Sequence, residues 1–240
     1  MKRIAQITDL HLDDEKSTAY GIDTRANVQK VLADVHSKKI EHVVFTGDLG
    51  EEDTIEWLYS LVQSYQMKAD YIFGNHDNPA HYETNPAFIQ AFHADGRYYS
   101  RTENGFLQLF LDSGKREIGT GQMDWLKRAC LDSKLPLLIF IHHPILDCDH
   151  CMMDQEYPLS GRDSIRDFLL SLSLPVTVVC GHYHMNHEQQ VENIRQIVTL
   201  STYIQMKPYS EKLETGSKDY GYRILELENG TFQSQTIDVK

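Results

Sequence analysis

Four cysteines in 240 residues, at positions 130, 148, 151 and 180, are too few and too unevenly spaced for a disulfide framework. Long apolar runs are missing too. None approaches the ~18 residues that cross a membrane, and the opening "MKRIAQITDLH" alternates polar and apolar residues in the manner of a strand rather than a signal peptide. Positive charge is scarce: 23 lysines and arginines face 35 aspartates and glutamates, for a formal net charge of −12. With no basic stripe to offset that field, nucleic-acid polymers and anionic membranes are not expected as partners. No internal repeat, low-complexity tract or linker interrupts the sequence. Together these scarcities predict a cytoplasmic, reduced protein with one domain over residues 1–240.

The rest of the composition, 41 % hydrophobic and 24 % charged, is that of an ordinary folded domain. Strand-length apolar runs alternate with helical patterns through the first part of the chain. "RIAQIT" leads to "TRANVQKVLADVHSKK", where Val28, Val31, Leu32 and Val35 recur at helical spacing behind Thr24 as the N-cap. "HVVFT" precedes "EEDTIEWLYSLVQSY", and "DYIF" precedes a shorter helical piece near "NPAFIQAFH". That alternation predicts βαβ units, a largely parallel sheet and an α/β fold class. Beyond residue 100, "FLQLFLD", "LPLLIFI" and "LPVTVVC" read as strands, the last two covered on both faces, with helices over "GQMDWLKRACL" and "GRDSIRDFLLSL". "QIVTLST", "YRILELE" and "TFQSQTIDV" read as further strands. Residues 203–221 read as an irregular loop that either closes over a cleft or meets a second subunit.

Residues with ligand chemistry fall at the carboxyl ends of these strands. "ITDLH" supplies Asp9 and His11, "FTGDLG" Asp48, "IFGNHD" Asn75, His76 and Asp77, "IFIHHP" His142 and His143, and "VVCGHYH" His182 and His184. In open α/β sheets, binding crevices form at that edge. Carboxylates, imidazoles and an amide oxygen, with no thiolate needed, suit ions such as zinc, manganese or iron. Asp9, His11, Asp48, Asn75, His142, His182 and His184 are seven donors, more than one tetrahedral site needs and enough for two sites if one carboxylate bridges. Paired ions ~3.5–4 Å apart clamp the attacking and leaving oxygens of a displacement at phosphorus. Two divalent cations against the charges of Asp9 and Asp48 leave a surplus of about two for a hydroxide and a singly charged phosphodiester. Taken singly, each motif has a plainer reading as turn chemistry or exposed imidazole. Cys148, His150 and Cys151 have the spacing of half a zinc site, with no second pair nearby.

The ordered set "DLH", "GDL", "GNHD", "HHP" and "GHYH" across residues 9–184 resembles the calcineurin-like metallophosphoesterase superfamily. Within it, "LDSG" at 111–114, "MDWL" at 123–126, "MD" at 153–154 and "LST" at 200–202 are similar to class III cyclic nucleotide phosphodiesterases and related glycerophosphodiesterases. The resemblance implies two packed mixed β-sheets flanked by helices, with a β-rich tail over 203–240 completing the second sheet. It implies that Asp9, His11 and His184 hold one metal and Asn75, His142 and His182 the other, with Asp48 bridging. The cofactors would be two divalent or mixed-valence ions drawn from manganese, iron, zinc and cobalt.

On this reading a metal-bridging hydroxide attacks a small phosphodiester, cyclic nucleotides foremost. His76 stabilises the oxyanion and protonates the leaving alkoxide, with Asp77 orienting it and raising its pKa, while Gly74 lets the backbone turn tightly. His143 either contacts phosphate or orients His142, and His81 would line the substrate pocket. Ile145, where many relatives carry a second proline, and the "DCDHCMMD" loop depart from the family pattern. The alternatives are hydrolysis of phosphomonoesters or nucleotide conjugates, or an interaction scaffold that has lost catalysis. Against a scaffold stand the complete ligand set and His76. Whether the chain forms a homo-oligomer is left open.

Overall fold

The computed structural model describes residues 1–51, 54–82, 97–149 and 151–239, the side chains of Thr18, His81 and Cys151 excepted. Two sets of strands build two sheets. In the first, β1 (Lys2–Ile7), β2 (His42–Thr46) and β3 (Lys68–Ile72) run parallel, and β12 (Tyr220–Glu228) and β13 (Thr231–Val239) extend it antiparallel in the order β13-β12-β1-β2-β3. The second comprises β4 (Tyr99–Glu103), β5 (Phe106–Phe110), β6 (Leu137–Phe140), β7 (Val176–Cys180), β8 (His187–Val191) and β9 (Ile194–Val198), ordered β4-β5-β6-β7-β9-β8. Its central pairs are parallel and its two outer pairs antiparallel. Both sheets are mixed, as the resemblance implied.

The period-two alternation of strand side chains assigns each face of a sheet to a different core. Between the sheets, Ile4, Val44, Ile72, Phe110, Leu138, Phe140, Val179 and Leu225 interdigitate. On the outer face of the first sheet, Ile7, Val43 and Phe45 meet Val28, Val31 and Val35 of α2 (Thr24–Ser37) and Leu58 and Val62 of α3 (Ile55–Ser64). On the outer face of the second, Leu137, Ile139 and Val178 meet Leu126 of α5 (Thr120–Leu131) and Ile165 and Leu169 of α7 (Arg162–Leu170). The result is a helix–sheet–sheet–helix sandwich. Each fully buried aliphatic or aromatic side chain in these layers contributes roughly 1.5–3 kcal/mol through lost water contact.

Three expectations need correction. The tail completes the first sheet: β12 pairs with β1 from Lys2↔Leu227 to Gln6↔Arg223, and β13 becomes that sheet's outer strand. The N-cap of α2 is Asp23, whose Oδ1 accepts a 2.9 Å bond from Ala26 N; Thr24 is the first helical residue. Residues 203–221 are not wholly irregular, since β10 (Gln205–Met206) pairs with β11 (Thr215–Ser217) and β12 begins at Tyr220. The helix expected near "NPAFIQAFH" lies outside the described residues. No described helix is long and apolar enough to cross a membrane.

Two Asn-Gly hairpin turns fasten the sheets at the end away from the carboxyl edges of the parallel strands. Asn104-Gly105 and Asn229-Gly230 adopt positive φ at both positions (52° and 80°, 49° and 82°), and Gly230 N donates to Asn104 O at 3.0 Å. The opposite end is left for the loops that follow β1, β2, β3, β6 and β7.

Candidate dinuclear metal centre

Those loops carry the donors, and their backbone is bent to do so. Asp9, His11, Asp48, His182 and His184 all take positive φ, from 45° to 67°. Such conformations cost non-glycine residues of order 1–3 kcal/mol each and persist only where surrounding bonds over-determine them. Here Asp9 N donates to Gly47 O at 3.0 Å, Leu10 N and His11 N both donate to Asp48 O, and His182 N donates to Asp9 Oδ2 at 3.0 Å. Gly74 is required by space rather than by φ, since a Cβ there would overlap the Asp48 carboxylate.

The side chains close around a shared centre. His184 Nε2 lies 3.2 Å and His142 Nε2 3.9 Å from Asp9 Oδ1. His142 Nε2 and His11 Nε2 lie 3.3 and 3.6 Å from the same oxygen, Asp48 Oδ2. Asp9, His11, Asp48 and His184 form one buried group with ligand atoms within 4.8 Å of one another, and His142, His143 and His182 form a second. Asp48 Oδ2 thus faces a histidine from each group.

Hydrogen bonds fix which ring nitrogen points inward. His142 Nδ1 donates to Thr46 O (2.8 Å), His184 Nδ1 to Ile204 O (2.9 Å) and His182 Nε2 to Tyr157 O (2.9 Å). A carbonyl oxygen only accepts, so the other nitrogen of each neutral ring carries a lone pair. His142 Nε2 and Asn75 Oδ1 are buried without any hydrogen-bond partner. Leaving such atoms unpaired costs roughly 1–3 kcal/mol apiece. Divalent cations satisfy all of them, and the oxygen and nitrogen donors fit a pair of such ions.

The local field favours cations. Burial pushes Asp9 up, but His184 and His142 outweigh it and hold the carboxyl at about 2; Asp48 is likewise held well below its usual value by His142 and His11 against burial. His142 is lowered by burial and raised more strongly by Asp48 and Asp9, reaching about 9. Burial beside His142 pushes His182 down to about 3, and burial beside His182 pushes His143 well below its ordinary value. His182 and His143 are thus neutral, the form that coordinates metal, whereas His142 holds against Asp48 a proton that a bound cation would displace.

The profile of the calcineurin-like phosphoesterase family matches residues 2–186. The chain belongs to this family. A probable cyclic nucleotide phosphodiesterase of Fibrobacter succinogenes is 27 % identical over 209 residues, covering 86 % of this chain and 82 % of its own. The 3',5'-cyclic adenosine monophosphate phosphodiesterase CpdA of Escherichia coli K12 is 27 % identical over 252 residues, covering 97 % and 88 %. A dimetal phosphatase from Danio rerio shares the fold, with a TM-score of 0.76 at 12 % identity over 100 % of this chain and 98 % of that one. The protein is a metallophosphoesterase with the paired-sheet architecture of these structures.

In this metallophosphoesterase Asp77 does not have the place expected of it. Its four acceptor positions are filled by Asp48 N (2.9 Å), Gly74 N (2.8 Å), Leu49 N (2.7 Å) and Tyr82 Oη (3.0 Å). A carboxylate so occupied has nothing left to orient His76, and instead it ties two ligand loops together. His76 stands exposed at the mouth, with its backbone N donating to Asp48 Oδ1 at 2.8 Å. Its pKa is lowered rather than raised, by the protein mass around it, with Asp48 opposing. The acid beside His76 is Asp14, grouped with it and His11; Asp14 Oδ2 lies 3.4 Å from His11 Nδ1, and that contact holds Asp14 at about 2. Its signal in the sequence was a carboxylate three residues after a ligand histidine.

His143 is fully buried, with Nδ1 2.9 Å from Ser113 Oγ and its ring centroid 4.2 Å from that of His182. It packs beside His142 and His182 and is not among the residues that line the cleft over the centre. His81 falls in α4 (Pro79–Tyr82), but its side chain is outside the described set, as are His150 and the Cys151 side chain. A cleft of about 440 Å³ opens over the centre, lined by His11, Asp48, Asn75, His76, His182 and His184 at its floor. Ile204, Met206, Leu213 and Thr215 are also among its lining, so the 203–221 segment contributes to the cleft. Tyr203, from the segment expected to close over a cleft or meet a second subunit, lines it too, as do Arg116 and Tyr157, which were not singled out from the sequence.

Proposed function

We propose that this metallophosphoesterase hydrolyses small phosphodiesters, cyclic nucleotides foremost, at a centre holding two divalent or mixed-valence ions. One observation carries the reading. The unbonded Asn75 Oδ1 and His142 Nε2 join a donor set with only two carboxylates, Asp9 and Asp48, among the seven ligands. When bound, the ions supply Lewis-acid polarisation of phosphoryl oxygens and a water that ionises near neutral pH. Coordinating through a neutral oxygen, Asn75 would leave the centre's positive charge high, which suits a monoanionic ester.

The chain's own residues supply the rest. Asp48 accepts the His76 amide and so sets where that residue stands above the floor. The His76 ring packs edge-on to His11 at 5.1 Å between centroids, with the Asp14 carboxylate near both. Imidazolium at His76 is favoured when an anionic ester enters beside it, and it then donates its proton to the leaving alkoxide. The cleft wall from the 203–221 segment limits water around the ester. The preference for cyclic nucleotides draws on the phosphodiesterase names of relatives that span most of this chain. A cytoplasmic setting agrees with the free thiols of Cys130, Cys148 and Cys180.

The test is a substrate panel on manganese-reconstituted protein: cyclic nucleotides, glycerophosphodiesters, and bis- against mono-nitrophenyl phosphate. Turnover of diesters with little of monoesters is expected. Monoester turnover alone would overturn the reading.

A further inference from the structure

The cleft is larger than a reacting phosphoryl group requires, and one wall has a distinct composition. Arg116 sits on a turn at φ 58°, held on both sides by Arg116 N donating to Ser113 O and Ser160 N donating to Arg116 O, each at 2.8 Å. Its guanidinium lies 5.3 Å from the centroid of the Tyr157 ring. In a chain of net charge −12, it forms no ion pair with a carboxylate among the described residues. The Tyr157 backbone carbonyl accepts from His182 at 2.9 Å, so the ring beside it is anchored to the metal centre.

Other walls point to a ligand independently. The Tyr203 hydroxyl is buried, has no hydrogen-bond partner and belongs to a residue lining the same cleft. Tyr20 and Leu213 line it while remaining 47 % and 55 % exposed, with Met206 alongside. Aromatic, thioether and aliphatic surface around a planar cation suits a flat heteroaromatic ring, which stacks on aromatic and guanidinium planes. A second phosphate would call for a cluster of cations. Among the described residues the cleft offers only Arg116 and Lys16.

We infer that Arg116 and Tyr157 form a stacking shelf for the nucleobase of the substrate, and that Arg116 is a specificity-determining residue of this enzyme. The inference rests on the phosphodiesterase reading and narrows it to esters bearing a heteroaromatic ring. Steady-state kinetics of manganese-loaded wild type, Arg116→Ala, Arg116→Lys and Tyr157→Leu on a cyclic purine nucleotide and on a glycerophosphodiester test it. Binding of uncharged adenosine and guanosine to the same four proteins in chelator, by calorimetry, accompanies the kinetics. Arg116→Ala should lose about 10-fold or more in kcat/KM on the cyclic nucleotide relative to the glycerophosphodiester, mostly through KM. Arg116→Lys should do no better, because an ammonium lacks the guanidinium plane. Tyr157→Leu keeps the backbone carbonyl that supports His182 and should show the same selective loss, and nucleoside binding should weaken in all three variants. Equal losses on both esters, rescue by lysine, or unchanged nucleoside binding would each overturn the shelf. A wild-type protein inert on every phosphodiester would instead overturn the functional reading, and the nucleoside comparison would still decide the shelf.

Discussion

Replacing His76 with alanine keeps the one bond it makes to the ligand set, because Asp48 Oδ1 accepts from the His76 backbone amide. The variant should therefore retain metal, as measured by elemental analysis, while hydrolysis of an alkyl diester slows by ~10²–10⁴-fold. The loss should be smaller on bis-nitrophenyl phosphate, whose leaving group needs no proton; equal losses on both would remove the acid role. Asp77→Asn tests a different kind of contribution. Its amide nitrogen would face backbone N–H groups of Asp48, Leu49 or Gly74, leaving a buried donor unpaired at a cost of ~1–3 kcal/mol. A lower melting temperature together with weaker metal retention is expected. Normal stability and metal content with a shifted pH–rate profile would restore Asp77 as the partner of His76. The seven candidate ligands were readable beforehand because strand-end position and donor type are both written in sequence. What Asp77 binds was not, since its partners Asp48 and Leu49 lie 29 and 28 positions away and approach only when β2 and β3 pair. Arg116 and Tyr157 were hidden for the same reason: each is an ordinary loop residue until the fold sets one over the other.

At the level of elements, the open edge of the sandwich is joined by one carboxylate. Asp70 on β3 accepts from Arg101 Nη1 and Nη2 (2.9 and 2.7 Å) and Tyr99 Oη (2.9 Å) on β4, and lies 2.6 Å from His42 Nε2 on β2. Burial raises the Asp70 pKa, but His42 and Arg101 outweigh it and hold it far below the usual range; burial lowers His42 more than Asp70 raises it. For both groups the unfolded chain binds more protons than the folded one as pH falls, so stability declines toward acid. The His42 contribution begins to be lost below about 6.5 and that of Asp70 below about 4. Asp70→Asn should cost about 3–5 kcal/mol at neutral pH, and the difference from wild type in urea melts should shrink below about pH 4. A difference independent of pH would exclude the charge as its source. The strand that carries Arg101 escaped the sequence reading because "YSRTE" is polar and half exposed, as an edge strand is. β8 escaped for the same reason. The Asn104-Gly105 dipeptide before "FLQLF" was the available signal, since that pair favours a two-residue hairpin. The parallel strands and the helices between them were legible because burial on both faces leaves continuous apolar runs and one-sided helical spacing. Which strand the tail would join is a pairing across more than 200 positions, Lys2 with Leu227, and no local pattern records that.

Across the whole molecule, the two sheets divide the ligands between them. Asp9, His11, Asp48 and Asn75 follow strands of the first sheet, and His142, His182 and His184 follow strands of the second. A donor set of that kind exists only when the sheets are docked, so metal-binding free energy adds to folding free energy. Free manganese at 100 times its dissociation constant adds about 2.7 kcal/mol by mass action, and in a chain of this size each kcal/mol moves the melting temperature by ~2–4 °C. Thermal melts in manganese should therefore exceed those in chelator by roughly 5–10 °C for each ion bound. Asn75→Ala should shrink that increment while changing the melting temperature in chelator much less, because Asn75 Oδ1 has no hydrogen bond within the protein to lose. If bound manganese, confirmed by metal analysis, left the melting temperature where chelator puts it, the unfolded chain would hold the ions as tightly as the folded one, and the donor set would not depend on the docking of the sheets. The shared centre would then have to be abandoned along with the mechanism built on it.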